Sequence, residues 1–177
     1  MRDPLLVALA PRLAALTPRT RAVVAGLSPE QLATAPPAGG WSIAQVLEHL
    51  VRGNEAYFAP LAERLPVARR RPHRPHRPSF FGRLLLGAIA ESNPRRLPTT
   101  RKMTPLAVRD GVVETFLASL ARLDTLLREA DGADLGTRLW SPIAPIPLNV
   151  GDALAILVTH AERHLGQAER ARRAIGA

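Results

Sequence analysis

The chain has 177 residues, the size of one ordinary domain, and 46% of them are hydrophobic, which is enough to bury a core. It contains no cysteine, so disulfides, zinc–thiolate sites and cysteine nucleophiles are excluded. The formal net charge is +9 at pH 7. Residues 66–104 contain ten basic residues and one acidic residue, whereas the rest of the chain contains fourteen basic and fourteen acidic residues. The excess charge lies in one segment, which argues against a uniformly basic nucleic-acid-binding fold.

The apolar residues are mostly leucine, alanine and valine, and aromatic residues make up only 4% of the chain, a balance typical of helices. Leucines at helical spacing predict a first helix over 4–25. Thr17–Pro18 should kink or divide it, because a threonine followed by proline is typical of a helix start. Residues 28–32 predict a short helical turn, and the proline- and glycine-rich run 35–40 predicts a loop.

The second long helix has a clear start at Ser42. Together with Gln45, three residues later, it forms a capping box, in which each side chain satisfies a backbone donor at the helix end. Apolar residues then follow one stripe, and Pro60 should bend or loosen the last turn. Asn54 and Tyr57 lie on that stripe, so both are candidates to line a pocket.

Residues 66–104 interrupt the helical pattern. Proline recurs every third residue over 71–78, which predicts extended, polyproline-like backbone. His73 and His76 lie there among arginines, which repel a cation, so we expect them to be solvated linker residues. Residues 80–90 predict a short amphipathic helix. An insert of this length is either a mobile linker or a functional lid.

Two more helices follow the insert. The third long helix is predicted over 104–130, and the proline-rich segment 141–147 should be an extended connection to the fourth. The fourth long helix begins at Asn149, carries Asp152 in its first turn and ends near Ile175. No segment has the alternation of a strand. The sequence therefore predicts one all-α domain over the whole chain, a four-helix bundle with a long insert between its second and third helices.

Two histidines of the fourth helix, His160 and His164, are four residues apart and share one face. At 100° per residue that face also carries Leu157 and Ala161, so both imidazoles should be buried and need polar partners. A shared metal ion would satisfy them, and His49 lies at the edge of the second helix's apolar stripe. Three histidines from two helices leave open positions, as catalytic zinc sites do. The alternative, that all three are structural core residues, stays open.

Two segments resemble the DinB/YfiT-like superfamily. They are GGWSIAQVLEHL at 39–50 and the last helix from LNVGDAL at 148 to HAERHLGQAE ending at 169. Their order and spacing match, and the resemblance covers most of the chain outside the insert. Gln45 stands where relatives often carry glutamate, and because both residues cap a helix the metal site is untouched.

The resemblance implies an up-down-down-up four-helix bundle with one divalent ion on three histidines, which are His49, His160 and His164 in this sequence. It implies zinc or nickel first, with iron or manganese as alternatives. Better-understood relatives act on small molecules with low-molecular-weight thiols such as bacillithiol or mycothiol, and others are described as metal-dependent hydrolases. Homodimers are common in the family, so we expect one here.

Competing functions remain at this point. We favour a metal-dependent enzyme, and we rank thiol-dependent S-transfer ahead of hydrolysis. The catalytic residues of such an enzyme are unknown. Glu48, Glu55 and Glu162 are candidate bases, or candidate hydrogen-bond partners of the metal ligands. A binding protein could instead use 66–104 to contact nucleic acid or an anionic membrane, and a third alternative is a structural metal. Trp41 is expected to pack the bundle end.

The start of the chain resembles a signal peptide only weakly. Asp3 stands where such a peptide should be basic, so we interpret the segment as the beginning of the first helix. No apolar stretch reaches the length of about 18 residues that a membrane span requires. We therefore expect a soluble, cytoplasmic protein.

Overall fold

The computed structural model describes residues 1, 3–72, 74–91, 93 and 103–176. The helices in this part of the chain are α1 (Pro4–Val24), α2 (Pro29–Ala33), α3 (Ile43–Arg69), α4 (Phe80–Ile89), α5 (Val112–Glu129) and α6 (Val150–Ala174). The long helices α1, α3, α5 and α6 form a four-helix bundle, in which α1 and α3 each pack against both α5 and α6. The predicted all-α bundle is confirmed. No helix of the described residues has the length and apolar content needed to cross a bilayer.

The first helix runs without interruption through Thr17–Pro18, so the prediction that it divides there into two pieces is wrong. Both Pro11 and Pro18 lie inside α1. Each interior proline costs roughly 3 kcal/mol, whereas each fully buried leucine contributes roughly 1.5–3 kcal/mol. Packing therefore outweighs the two prolines, and the leucines that supply it are Leu6, Leu9, Leu13 and Leu16, all at most 3% exposed.

The second long helix also runs further than the sequence predicts. Its Ser42–Gln45 capping box is present as expected. However, α3 passes through Pro60 and Pro66 and ends at Arg69, so the first residues assigned to the insert are helical. Leu61, Leu65 and Ala68 on this last stretch are buried, and that packing holds the helix together past its prolines.

The third long helix begins later than predicted, at Val112 instead of residue 104. Gly111 precedes it with φ of 62°, the left-handed region that favours glycine. The chain before it stays irregular because the guanidinium of Arg52 donates to the backbone oxygens of Thr104 and Ala107, which a helix would use internally.

A small hairpin corrects the expectation that the chain has no strand. The strands β1 (Arg138–Trp140) and β2 (Pro147–Asn149) pair antiparallel, with Leu139 opposite Leu148. These two leucines are buried, while Trp140 is exposed. Three residues per strand are too few for an alternating pattern to stand out in a sequence.

The insert does not stay clear of the bundle, and the expectation of a solvated His76 is wrong. Its side chain is 3% exposed, and Nε2 donates to Asn149 Oδ1 at 3.1 Å and lies 3.5 Å from Asp152 Oδ1. The backbone N–H of His76 donates to Asp3 Oδ2 at 2.9 Å. A Cβ on Gly151 would lie 2.2 Å from the imidazole, so only glycine permits this approach. The prediction for His73 lies outside the described residues.

These contacts predict that His76 stabilises the fold. We expect His76→Ala to lower the free energy of unfolding by about 1–3 kcal/mol, because buried polar atoms of Asn149 and Asp152 lose a partner. Urea unfolding followed by circular dichroism measures the change. Arg74→Ala, an exposed neighbour, should change it by less than about 0.5 kcal/mol. Equal effects of the two variants would contradict the anchoring role.

Candidate metal centre

The three predicted histidines meet where α3 packs against α6. His49 is buried on α3, and His160 and His164 are partly buried on α6. One ligand nitrogen from each lies within 4.8 Å of the others, and the ring centroids of each pair are 4.6–4.9 Å apart. The Nε2 atoms of His49 and His160 are 3.0 Å apart. That separation suits a shared proton, and it also suits two ligands on one ion, which lie about 3.3 Å apart at a tetrahedral zinc.

Hydrogen bonds orient two of the three rings. His49 Nδ1 donates to the backbone oxygen of Met103 at 2.8 Å, and His164 Nδ1 donates to the amide oxygen of Gln167 at 2.9 Å. Since each acceptor takes the proton on Nδ1, each ring keeps a lone pair on Nε2. Partners of this kind are what fixes the tautomer and direction of a metal-ligating histidine.

Burial keeps the cluster uncharged at neutral pH. It lowers the pKa of His49, and it lowers the pKa of His164 to about 4. Burial, followed by repulsion from the other two rings, lowers the pKa of His160 well below its ordinary value. Three neutral imidazoles on converging side chains fit a divalent ion that takes nitrogen ligands, because such an ion needs lone pairs that protons do not occupy.

A network of ion pairs fixes the loop that supplies the Met103 carbonyl. Glu48, only 2% exposed, binds Arg52 at 2.7 Å and Arg109 at 2.9 Å. Arg109 also pairs with Glu55 at 2.7 Å. The network attaches residues 103–109 to α3 at Glu48, the residue before His49. This attachment holds the Met103 carbonyl next to the His49 imidazole.

The glutamates predicted as candidate bases are all engaged in ion pairs with arginines. Glu48 and Glu55 belong to the network around Arg109, and Glu162 forms a two-pronged pair with Arg12. None of the three lines the cavity beside the cluster. Their role in the described structure is to join elements of the bundle.

A cavity of about 880 Å³ opens onto the three histidines. Along α6 its lining changes in character: Ile156 and Leu157 precede the histidines, whereas Gln167 and Arg170 follow them. Other elements complete the wall, with these residues among those that line it: Trp41, Tyr57, Leu85, Ile89, Glu91, Met103 and Ile143. The ligand nitrogens thus lie between an apolar stretch of α6 and one on which Gln167 and Arg170 line the cavity together with Ala171 and Ala174.

Tyr57, Asn54 and Trp41, in or next to α3, differ in their position relative to the cavity. Tyr57 lines the cavity as expected, and its hydroxyl pairs with Ser141 Oγ at 2.9 Å. Asn54 is buried but outside the lining, where its amide nitrogen donates to Ser119. The ring of Trp41 lies 4.8 Å from that of His49 and stacks at 6.1 Å on that of His164, so it packs on the cluster as well as on the bundle end.

Sequence reasoning missed several residues of the site. Gln167 is three residues after His164, and that helical spacing could have identified it. Arg170 extends the same helix, but nothing in the sequence distinguishes it from its arginine neighbours. The Met103 contact uses a backbone oxygen, which leaves no mark in a sequence.

The fold and the cluster define a class: a four-helix bundle with three convergent histidines on two of its helices. The family model of the DinB superfamily matches residues 12–168, so the chain belongs to that superfamily. The predicted family is confirmed. The sequence matches no curated protein.

A solved structure has the same fold. YfiT from Bacillus subtilis is superimposed with a TM-score of 0.60 over 97% of this chain and 87% of that one, at 18% sequence identity. It is described as a probable metal-dependent hydrolase with an unusual four-helix bundle topology. At this identity the similarity establishes the architecture.

The lowered pKa of His164 predicts a pH-dependent stability in chelator-treated protein. The unfolded ring takes up a proton near pH 6.5 and the folded ring near pH 4, so the unfolded state binds more protons between these values. We expect the free energy of unfolding to fall as the pH falls from 6.5 to 4. Urea titrations across this range measure it. In His164→Gln the free energy of unfolding should depend less steeply on pH. If it varied with pH in the same way in both proteins, the lowered pKa of His164 would not be the cause.

Proposed function

We propose that the protein is a metal-dependent enzyme in which His49, His160 and His164 hold one divalent ion at the cavity. The observation that carries the proposal is the convergence of three uncharged imidazoles within 4.8 Å at the wall of a cavity of about 880 Å³. Three protein ligands leave coordination positions for a substrate, as in catalytic zinc sites.

Nitrogen ligands favour zinc, nickel or iron over manganese, which prefers oxygen. Zinc or nickel is our first choice. Bound to the three histidines, such an ion would lower the pKa of a coordinated thiol or water and supply a nucleophile near neutral pH. The chain's own contribution is orientation: Met103 and Gln167 direct two ligand rings, and Trp41 packs on both of these rings.

The reaction that we propose is a thiol-dependent transfer to a small molecule, with a low-molecular-weight thiol as co-substrate. The part of the cavity lined by Gln167 and Arg170 supports this choice. Arg170 lines it without a side-chain hydrogen bond or ion pair to any described residue, so its guanidinium is available for a carboxylate. The apolar stretch at Ile156 and Leu157 would hold the electrophilic partner.

Hydrolysis is the second candidate, since YfiT, which shares the fold, is described as a probable metal-dependent hydrolase. The same three ligands would then act on water, and no thiol would be needed. A homodimer and a cytoplasmic location remain predictions of the family resemblance. A purely structural ion is the remaining alternative, and it requires that the stripped protein unfold.

Metal content tests the site itself. We expect about one ion per chain in protein purified without a histidine tag, and loss of it in His49→Ala and His164→Ala. Elemental mass spectrometry measures the content, and circular dichroism checks that the variants fold. Arg128→Ala, on an exposed stretch of α5, should retain the ion. Failure of the wild type to take up zinc or nickel after reloading would refute the proposal.

Arg170 tests the thiol hypothesis separately from the metal. In metal-loaded protein, Arg170→Gln should weaken binding of a carboxylate-bearing thiol such as bacillithiol about tenfold, because a charged hydrogen bond is lost. Calorimetric titration measures this. Arg173→Gln, exposed on the same helix and outside the cavity lining, is the matched control. Full metal occupancy with no thiol binding would leave hydrolysis as the reaction.

A further inference from the structure

The short helix α4 has an apolar outer face. Only one of its ten residues is charged, Arg83. Gly82 and Ile89 are buried on the inner side, whereas Phe80 is 66% exposed and Leu84 is 62% exposed on the outer side. Surface helices of globular proteins place polar residues outward. The outer face of α4 therefore suits an apolar environment.

Contacts at both ends fix which face points outward. Ser79, the N-cap, donates its backbone N–H to the buried carboxylate of Asp152. A Cβ on Gly82 would lie 2.3 Å from that carboxylate, so the first turn sits directly on α6. At the other end, Arg163 donates to the backbone oxygen of Ala90 at 2.6 Å. The exposure of Phe80 and Leu84 is thus set by the docking of α4.

Positive charge precedes this face along the chain. No acidic residue occurs between Glu63 and Glu91, and the exposed arginines of this stretch include Arg70, Arg74, Arg77 and Arg83. None of these four side chains makes a hydrogen bond or ion pair to another residue in the described part of the chain. An exposed apolar helix face that carries one unpaired arginine and directly follows several others in the chain has the chemistry of a surface that binds anionic lipid.

We propose that α4 docks on an anionic membrane surface together with Arg70, Arg74 and Arg77, with Phe80 and Leu84 entering the headgroup region. Charge argues against a second copy of the chain, because a two-fold interface would place like-charged patches face to face. Nucleic acid would engage the arginines, but it offers no general partner for the aliphatic side chain of Leu84. The proposal does not depend on the metal centre.

Vesicle flotation with the full chain tests it, using phosphatidylcholine vesicles with and without phosphatidylserine. We expect binding only to the anionic vesicles, weakened by salt. The Phe80→Ser, Leu84→Ser double variant should bind on the order of tenfold more weakly. Replacing Arg70, Arg74 and Arg77 by glutamine should weaken binding on the order of 100-fold, at about fivefold per arginine.

Matched controls are Val7→Ser, which removes an apolar residue that is 55% exposed on α1, and Arg122→Gln with Arg128→Gln on α5. Both should bind like the wild type. All variants should keep the wild-type helix content and metal content, so a failure here is distinguishable from failure of the enzyme proposal.

Four results would overturn the proposal. The first is no binding to anionic vesicles at low salt. The second is vesicle binding that the serine substitutions leave unchanged, which would mean charge alone is responsible. The third is a concentration-dependent dimer, seen by analytical ultracentrifugation, that the serine double variant abolishes, which would assign the face to a second copy. A preference for duplex DNA over vesicles with the same variant pattern would assign it to nucleic acid.

Discussion

The packing of α3 against α6 is the contact on which the site depends. It places His49 opposite His160 and His164, and the burial that it produces holds their pKa values low. The helices approach closely at Gly53, where an added Cβ would be in van der Waals contact with the His160 ring at 3.4 Å. The same interface therefore brings the ligand atoms together and keeps them unprotonated, which are the two conditions that a nitrogen site for a divalent ion requires.

Two buried carboxylates attach irregular chain to this helix pair. Glu48 on α3 holds residues 103–109 through Arg52 and Arg109, and Asp152 on α6 accepts from Ser79 at the start of α4. Each carboxylate is at most 2% exposed and fully engaged by donors, as burial of a charge demands. The segments between the long helices, which in a bundle ordinarily move most, are thereby held in place and contribute Leu85, Ile89 and Met103 to the cavity lining. Polar contacts in the core thus set the shape of the site, and apolar packing sets its position.

The parts of the molecule that follow helical periodicity could be predicted from the sequence. The His160–His164 pair, the caps at Ser42 and Asn149 and the existence of α4 each follow from spacing within a single helix. His49 is assigned to the cluster from its place at the edge of the α3 stripe and from the family resemblance. What could not be predicted depends on tertiary partners. His76 lies in a proline-rich stretch without an inherent face, and its partner Asn149 is 73 residues away. The late start of α5 depends on an arginine of another helix that takes the carbonyls of the loop.

The rings of His49 and His164 differ in the kind of group that orients them. Gln167 holds His164 through a side chain, so a single substitution at that position can release the ring. His49 is held by the main chain at Met103, where any side chain leaves the carbonyl in place. Its orientation is therefore robust to point substitution but sensitive to the length of the loop, because one residue added or removed between 103 and 109 would carry the carbonyl out of register. Over evolution, insertions and deletions, more than substitutions, would be selected against in this segment.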